Sequence, residues 1–292
     1  MVKVVDKSLK DRELWVTASP STLLQLAFML APLCLLLMIT FQVTQFFQVT
    51  WVWNLDTWTD VFTTGYYWSI LLVTLKMAGL CVLLCFIISF PIAYGLATRF
   101  KAFENHIKVL MIFAFMTDIV LKTYGWVIVF DDSGVINWIL RGTGIVGPDW
   151  INGLVFSQFA TMVGMIYNLI AFMIFTIYLS VLNIDRDLIE ASYDCGAGKF
   201  RTFWEVTLPL CRPGIWAGCL LVFVLSMGVY LEEKLMGGGN EPMMGHLIHQ
   251  TFGTRVNWPL GSALTVVLMV VALVVLLIFI RIYRFDKYTA TR

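Results

Sequence analysis

Residues Glu190 to Pro209 read EASYDCGAGKFRTFWEVTLP, a charged block set between two strongly apolar runs, Ile151–Leu182 and Pro213–Leu231. A connection between two membrane spans needs only a few polar residues to turn around. This one spends about thirty, 183–212, with a helical pattern, a central glycine and a closing Leu-Pro pair. A loop of that length and order is built to be gripped by another protein.

Outward from this block the chain is dominated by apolar runs. It is 59% hydrophobic and 13% charged, with a mean hydropathy of +0.82, about half the charge of a soluble globular domain. No charge occurs from Leu14 through Leu55, and Leu23–Phe46 alone exceeds the ~20 residues that cross a bilayer core. Further runs at Tyr67–Ala97, Val109–Phe130, Ile151–Leu182, Pro213–Leu231 and Gly261–Tyr283 bring the expected number of spans to six. Runs this long and apolar favour helices over a barrel, because each backbone group must be satisfied within its own segment. The expected fold class is therefore all-α and integral to the membrane, as one domain over 21–284, with short tails at 1–20 and 285–292.

Lys and Arg positions set the orientation. One side receives Lys3, Lys7, Lys10, Arg12, Arg99, Lys101, Lys108, Arg186, Lys199, Arg201, Arg212, Arg281, Arg284, Lys287 and Arg292, the other only Arg141, Lys234 and Arg255. Positive residues stay inside, so both termini and the 183–212 loop are expected in the cytoplasm. The basic N-terminus precedes an apolar run too long for a signal-peptide core, and we expect it uncleaved. The six cysteines lie in spans or on the cytoplasmic side, where thiols stay reduced. No disulfide is expected.

Several motifs are decoys. Gly142-Thr-Gly-Ile-Val-Gly147 matches a dinucleotide fingerprint but follows no strand and meets Pro148. Gly198-Lys199 lacks both the first glycine and the Ser or Thr of a phosphate-binding loop. His246 and His249 have no further ligands nearby in sequence to complete a metal site, and Cys81 and Cys85 read as packing residues. No Ser-His-Asp or Cys-His set falls in a loop able to hold an active site. Nothing suggests contact with nucleic acid.

Intramembrane charges carry more weight, since each costs roughly 2.5–3.5 kcal/mol at a span centre. Asp118 and Lys122, four apart on the third expected span, can pair on one helix face, either as mutual neutralisation or facing a polar solute path. Lys76 reads as a snorkelling contact. Glu232 and Glu233 end the fifth expected span, as a solvated helix end or as counter-charge for a cationic solute. Tyr124, Trp126 and Tyr230 stand near these charges as aromatic faces for a cation.

The charged block decides among classes. Glu190-Ala191-Ser192, then Gly196, then Val206-Thr-Leu208-Pro209 resembles the EAA loop of binding-protein-dependent ABC importer permeases, with Ser192 for the second alanine and Val206 for isoleucine. Ile184–Cys195 fits a short helix, Gly196 frees a turn, and a second helix runs to Leu208, where Pro209 is expected to stop it. Thr117-Asp118 with Lys122-Thr-Tyr-Gly125, Leu235-Met-Gly-Gly238, and Asn257-Trp-Pro-Leu-Gly261 are similar to the spermidine/putrescine-type permeases.

The resemblance implies a type I ABC importer permease with six transmembrane helices and a cytoplasmic coupling helix in loop 184–212. Glu190, Ala191, Ser192, Asp194, Gly196, Leu208 and Pro209 would couple it to the ATPase. It implies a second homologous permease, two ATP-binding cassette subunits and an external solute-binding protein as partners. ATP and Mg would belong to the partner ATPase subunits, with no cofactor or catalytic site in this chain. The solute stays open between a polyamine, another organic cation or zwitterion, an opine, a phosphonate and an amino-acid derivative. Two rival classes are an ion-gradient-driven secondary transporter, which predicts inverted repeats, and a membrane enzyme. Neither accounts for the register of Glu190, Gly196 and Pro209.

Overall fold

The computed structural model describes residues 7–45, 48–98, 104–143, 156–238 and 242–289. In chain order the elements are α1 (Lys7–Ile39), an antiparallel hairpin of β1 (Val43–Gln45) and β2 (Gln48–Thr50), α2 (Asp56–Thr63), α3 (Gly65–Thr98), α4 (Glu104–Met116), α5 (Ile119–Phe130), α6 (Val135–Thr143), α7 (Gln158–Leu182), α8 (Arg186–Asp194), α9 (Lys199–Thr202), a π-turn (Phe203–Thr207), α10 (Leu208–Met227), α11 (Leu231–Met236), α12 (Met244–Gly253) and α13 (Trp258–Thr289). Five stretches among the described residues are long and apolar enough to cross a membrane: Thr22–Ile39, Gly65–Thr98, Gln158–Leu182, Lys199–Met227 and Trp258–Ile282.

The one expected span missing from these five, the third, Val109–Phe130, is broken into α4 and α5, of 13 and 12 residues. The break has a chemical cause. Thr117 turns its hydroxyl back to the Phe113 carbonyl at 2.8 Å, and Asp118, extended at ψ 137°, accepts the backbone N–H groups of Val120 and Leu121 at 2.8 and 3.2 Å. Aspartate competes with helix interiors through such bonds and favours N-caps.

The chain forms two compact units, Met1–Thr63 with Thr251–Val266 and Thr64–Gln250 with Val267–Arg292. In the first, the expected span Leu23–Phe46 ends early, at Ile39. Thr40 returns its hydroxyl to the Leu37 carbonyl at 2.7 Å, and the chain then builds a hairpin with register Val43↔Thr50. Phe41 packs on Trp53 and Trp58 at 5.9 and 6.3 Å, and the Trp58 indole donates to Thr40 Oγ1 at 3.3 Å.

The second unit is organised around α3, α7 and α10. Cys81 and Cys85 of α3, Met165, Met173 and Ile177 of α7, and Cys211 and Val222 of α10 are buried together. Phe223 and Met227 of α10 meet Leu268, Val271 and Val275 of α13 over Ala78. In lipid, apolar surface gives helices no reason to associate, so close backbone approach must supply the contact. Gly214 and Gly218 of α10 provide it. A Cβ on Gly214 would sit 2.3 Å from Ser180 Cβ, and one on Gly218 would sit 2.4 Å from Thr176 Oγ1 and 2.7 Å from Met173 Sδ. Two small positions on α7 thus face two glycines on α10, each pair four residues apart, and Ser180 adds a bond to the Cys211 carbonyl at 3.3 Å.

Gly218→Leu should therefore force α7 and α10 apart and cost about 1–3 kcal/mol or more, read as lowered thermal stability in detergent. Gly79→Leu is the control, since a Cβ there meets nothing within 4 Å. Equal losses in the two variants would contradict the close contact.

Candidate functional site

Two places concentrate the functional residues. The first is the connection from α7 to α10. Asp185 caps α8 by accepting the Asp187 N–H at 3.1 Å. At the other end, Ala197 N–H bonds to the Ser192 carbonyl at 3.0 Å and Gly196 N–H to the Tyr193 carbonyl at 2.9 Å, with Gly196 at φ +82°. These two bonds and the left-handed glycine make a Schellman cap. Position 196 is glycine for its backbone angle, since open space surrounds the missing Cβ. Ser192 Oγ then reaches Thr202 Oγ1 at 2.9 Å, tying α8 to α9. The hydroxyl that distinguishes residue 192 from an alanine is thus in use. Glu190, Ala191 and Asp194 are exposed on α8.

Pro209 does not stop the second helix, contrary to the expectation from sequence. The chain widens into a π-turn, where Leu208 N–H bonds back to the Phe203 carbonyl, and then continues as α10 with Leu208 and Pro209 in its first turn. A helix-interior proline removes one donor and presses on the carbonyl of the preceding turn; the wider turn at 203–207 is where the helix absorbs that misfit. Phe203 packs edge-on against Phe90 and Tyr94 of α3 at 5.6 and 5.5 Å. Leu188, Tyr193, Phe200 and Trp204 remain exposed. They put exposed apolar surface on a charged loop.

The second place is α11. Glu232 and Glu233 are each 2% exposed, so they are no solvated helix end. Glu232 Oε1 accepts the Asn168 amide at 2.8 Å, and the same amide reaches Thr123 Oγ1 of α5 at 3.3 Å. Glu233 Oε2 accepts the Thr161 hydroxyl at 3.2 Å. Burial pushes the Glu233 carboxyl above the usual carboxylate range, the Thr161 hydroxyl pulling weakly the other way.

The remaining expected residues scatter. Asp118 and Lys122 do not pair: Asp118 caps α5, and Lys122 Nζ donates back across the break to the Ala114 carbonyl at 2.6 Å. Each thereby finds a backbone partner that a shared helix face would have denied it. Lys122 borders a cavity of about 360 Å3 with Phe113, Thr117, Tyr167 and Ile174. Trp126 stacks on Phe130 at 5.4 Å and meets Tyr167 edge-on at 5.5 Å, whereas Tyr124 is exposed. Tyr230 meets the His249 ring at 4.8 Å, and His249 in turn lies 3.3 Å from Lys234 Nζ. Sequence reasoning missed Thr161 and Asn168. Their signal was present, as polar residues seven apart in the N-terminal half of an apolar run, a spacing that places them on one face.

The model of the binding-protein-dependent transport system inner membrane component family matches residues 89–285, and the chain belongs to that family. It is 33% identical over 236 residues to the spermidine/putrescine transport system permease protein PotB of Escherichia coli (strain K12), covering 81% of this chain and 85% of that one. The same-named protein of Haemophilus influenzae is 32% identical, with 80% of each covered. Among solved structures, a bacterial ABC transporter involved in the import of the acidic polysaccharide alginate superimposes with a TM-score of 0.69 at 18% identity, over 96% of this chain and 99% of that one. The type I importer permease fold is thereby shared.

The raised pKa of Glu233 implies a pH dependence of stability. A carboxyl whose folded value exceeds its unfolded value contributes stability that is fully present below the unfolded value and lost as pH rises through the folded one. Glu233→Gln removes that titration. Its thermal-stability advantage over the natural chain should widen as pH is raised from about 5 to about 8. A gap that stays flat would contradict the assignment.

Proposed function

We propose that this chain is the membrane-spanning half of an ATP-driven importer for a polyamine or a related organic cation. It works with a second homologous permease, two ATP-binding cassette subunits that hold ATP and Mg, and an external solute-binding protein. The chain performs no hydrolysis of its own. The solute class rests on the spermidine/putrescine permeases to which the chain is similar over most of its length. The lysine and arginine distribution supports termini and hairpin on the cytoplasmic side.

One observation carries the coupling role. Residues 186–207 form a pair of short helices joined by a capped turn, and Leu188, Tyr193, Phe200 and Trp204 stay exposed on it although Trp204 also meets Phe200 and Phe203 edge-on. Aromatic anchors on a rigid support are what a groove on a soluble subunit recognises. The hairpin runs without interruption into α10, so a push from the ATPase reaches the spans directly. Asp118, Lys122, Tyr124, Trp126, Tyr230, Glu232 and Glu233 are the side chains we assign to the solute path.

Because Gly196 is required for its backbone angle, a β-branched residue there should do more harm than size alone predicts. Left-handed backbone costs a non-glycine residue roughly 1–2 kcal/mol, less for asparagine. Gly196→Asn should retain ATPase co-purification and solute-stimulated hydrolysis, while Gly196→Val should lose most of both with membrane insertion intact. Wild-type coupling in the valine variant would sink the proposal.

A further inference from the structure

Carboxyls are almost never fully buried unless paired with a cation or richly hydrogen-bonded. Neither Glu232 nor Glu233 makes an ion pair among the described residues, and the adjacent Lys234 turns instead to His249. Donors are short: one amide for Glu232 and one hydroxyl for Glu233. Glu233 Oε1 is buried with no hydrogen-bond partner, as is Oδ1 of Asn168, a residue only 7% exposed whose own amide rests on Glu232. Protein interiors ordinarily balance donors and acceptors. This one holds acceptors in excess, and its complement is an alkylammonium, which brings three donors and a positive charge.

The backbone makes room for this arrangement. A Cβ on Gly237 would lie 2.4 Å from the Glu233 carboxyl, and one on Gly164 would lie 3.3 Å from Glu232 Cγ and 3.1 Å from Met236 Sδ. The two carboxyls are also met at separate levels of α7. Thr161 and Asn168 are seven residues apart on α7, two turns or about 10 Å along its axis, and both face α11.

We propose that Glu232, Glu233 and Asn168 form a two-level subsite for a linear solute carrying two or more ammonium groups joined by chains of several carbons. The proposal rests on the importer reading and adds where, in this chain, the charge of the solute is met. Asn168 and Thr161 supply the donors that ammonium groups supply once the solute enters. Entry requires α11 to move off α7. That helix has six residues and lies between Gly228 and the Gly237-Gly238 pair, the latter at φ +69°.

The test uses the full chain, with spermidine and putrescine as probes and butylamine as the single-charge control. Both polyamines should raise the thermal stability of the purified protein by several degrees and butylamine by less. In the double variant Glu232→Gln, Glu233→Gln that shift should vanish, although the variant is at least as stable as the natural chain without solute. A merely structural pair would instead lose stability on substitution. Should the double variant fail to fold, Glu233→Gln alone, which keeps the Asn168 bond to Glu232, should lose part of the shift. No stabilisation of the natural chain, or a shift unchanged in the variants, overturns the subsite. Uptake in cells separates the two readings: polyamine uptake should fall at least about tenfold in the double variant. Undiminished uptake there refutes the subsite but leaves the importer standing. A natural chain that is stabilised yet imports neither polyamine refutes the solute assignment and leaves the subsite.

Discussion

The close approach of α7 and α10 is the constraint on which the rest depends. Gly214 and Gly218 admit Thr176, Ser180 and Met173 to distances that no residue with a Cβ would allow. Lipid offers no hydrophobic force to hold two such helices together, so van der Waals contact over these small residues and the Ser180 bond to Cys211 must do it. A helix pair locked this way moves as a body, since packed interfaces resist continuous deformation.

That rigidity gives α7 its place in the proposed mechanism. Its C-terminal end feeds the hairpin of α8 and α9, which returns through the π-turn into α10, so the same two helices leave and re-enter the coupling loop. Its N-terminal half carries Thr161, Gly164 and Asn168, against which α11 sets its two carboxyls, and Asn168 extends the contact to Thr123 of α5. Force applied at the hairpin and charge met at α11 therefore act on one helix. On this account, ATPase closure and solute release are two ends of a single displacement of α7 with α10.

Much of this was legible in the sequence, for identifiable reasons. Glu190, Gly196 and Pro209 are spaced as in the family loop, and local backbone chemistry alone dictates a glycine at 196. Five of the six expected spans followed from apolar run length, which lipid enforces, the third being broken at Asp118. What failed was tertiary or turned on local competition. Asp118 looked like the partner of Lys122 at helical spacing, but its carboxylate is spent on capping the start of α5 while Lys122 turns back to the Ala114 carbonyl. Pro209 looked like a stop, but the π-turn before it let the helix pass. The burial of Glu232 and Glu233 depends on residues some seventy positions away, so no local pattern could show it. The glycines at 214 and 218 were visible in sequence, but their partners on α7 were not.

The central claim is that the hairpin and the α7–α10 pair move together. With the two exposed cysteines, Cys34 and Cys195, replaced by serine, spin labels on the exposed Asp187 of α8 and on Val224 near the far end of α10 report the distance between hairpin and span in the assembled transporter. The account predicts the same narrow distance distribution without nucleotide and with nucleotide trapped. A distance that shifts or broadens between those states would mean that the hairpin moves independently of the spans, and would contradict it.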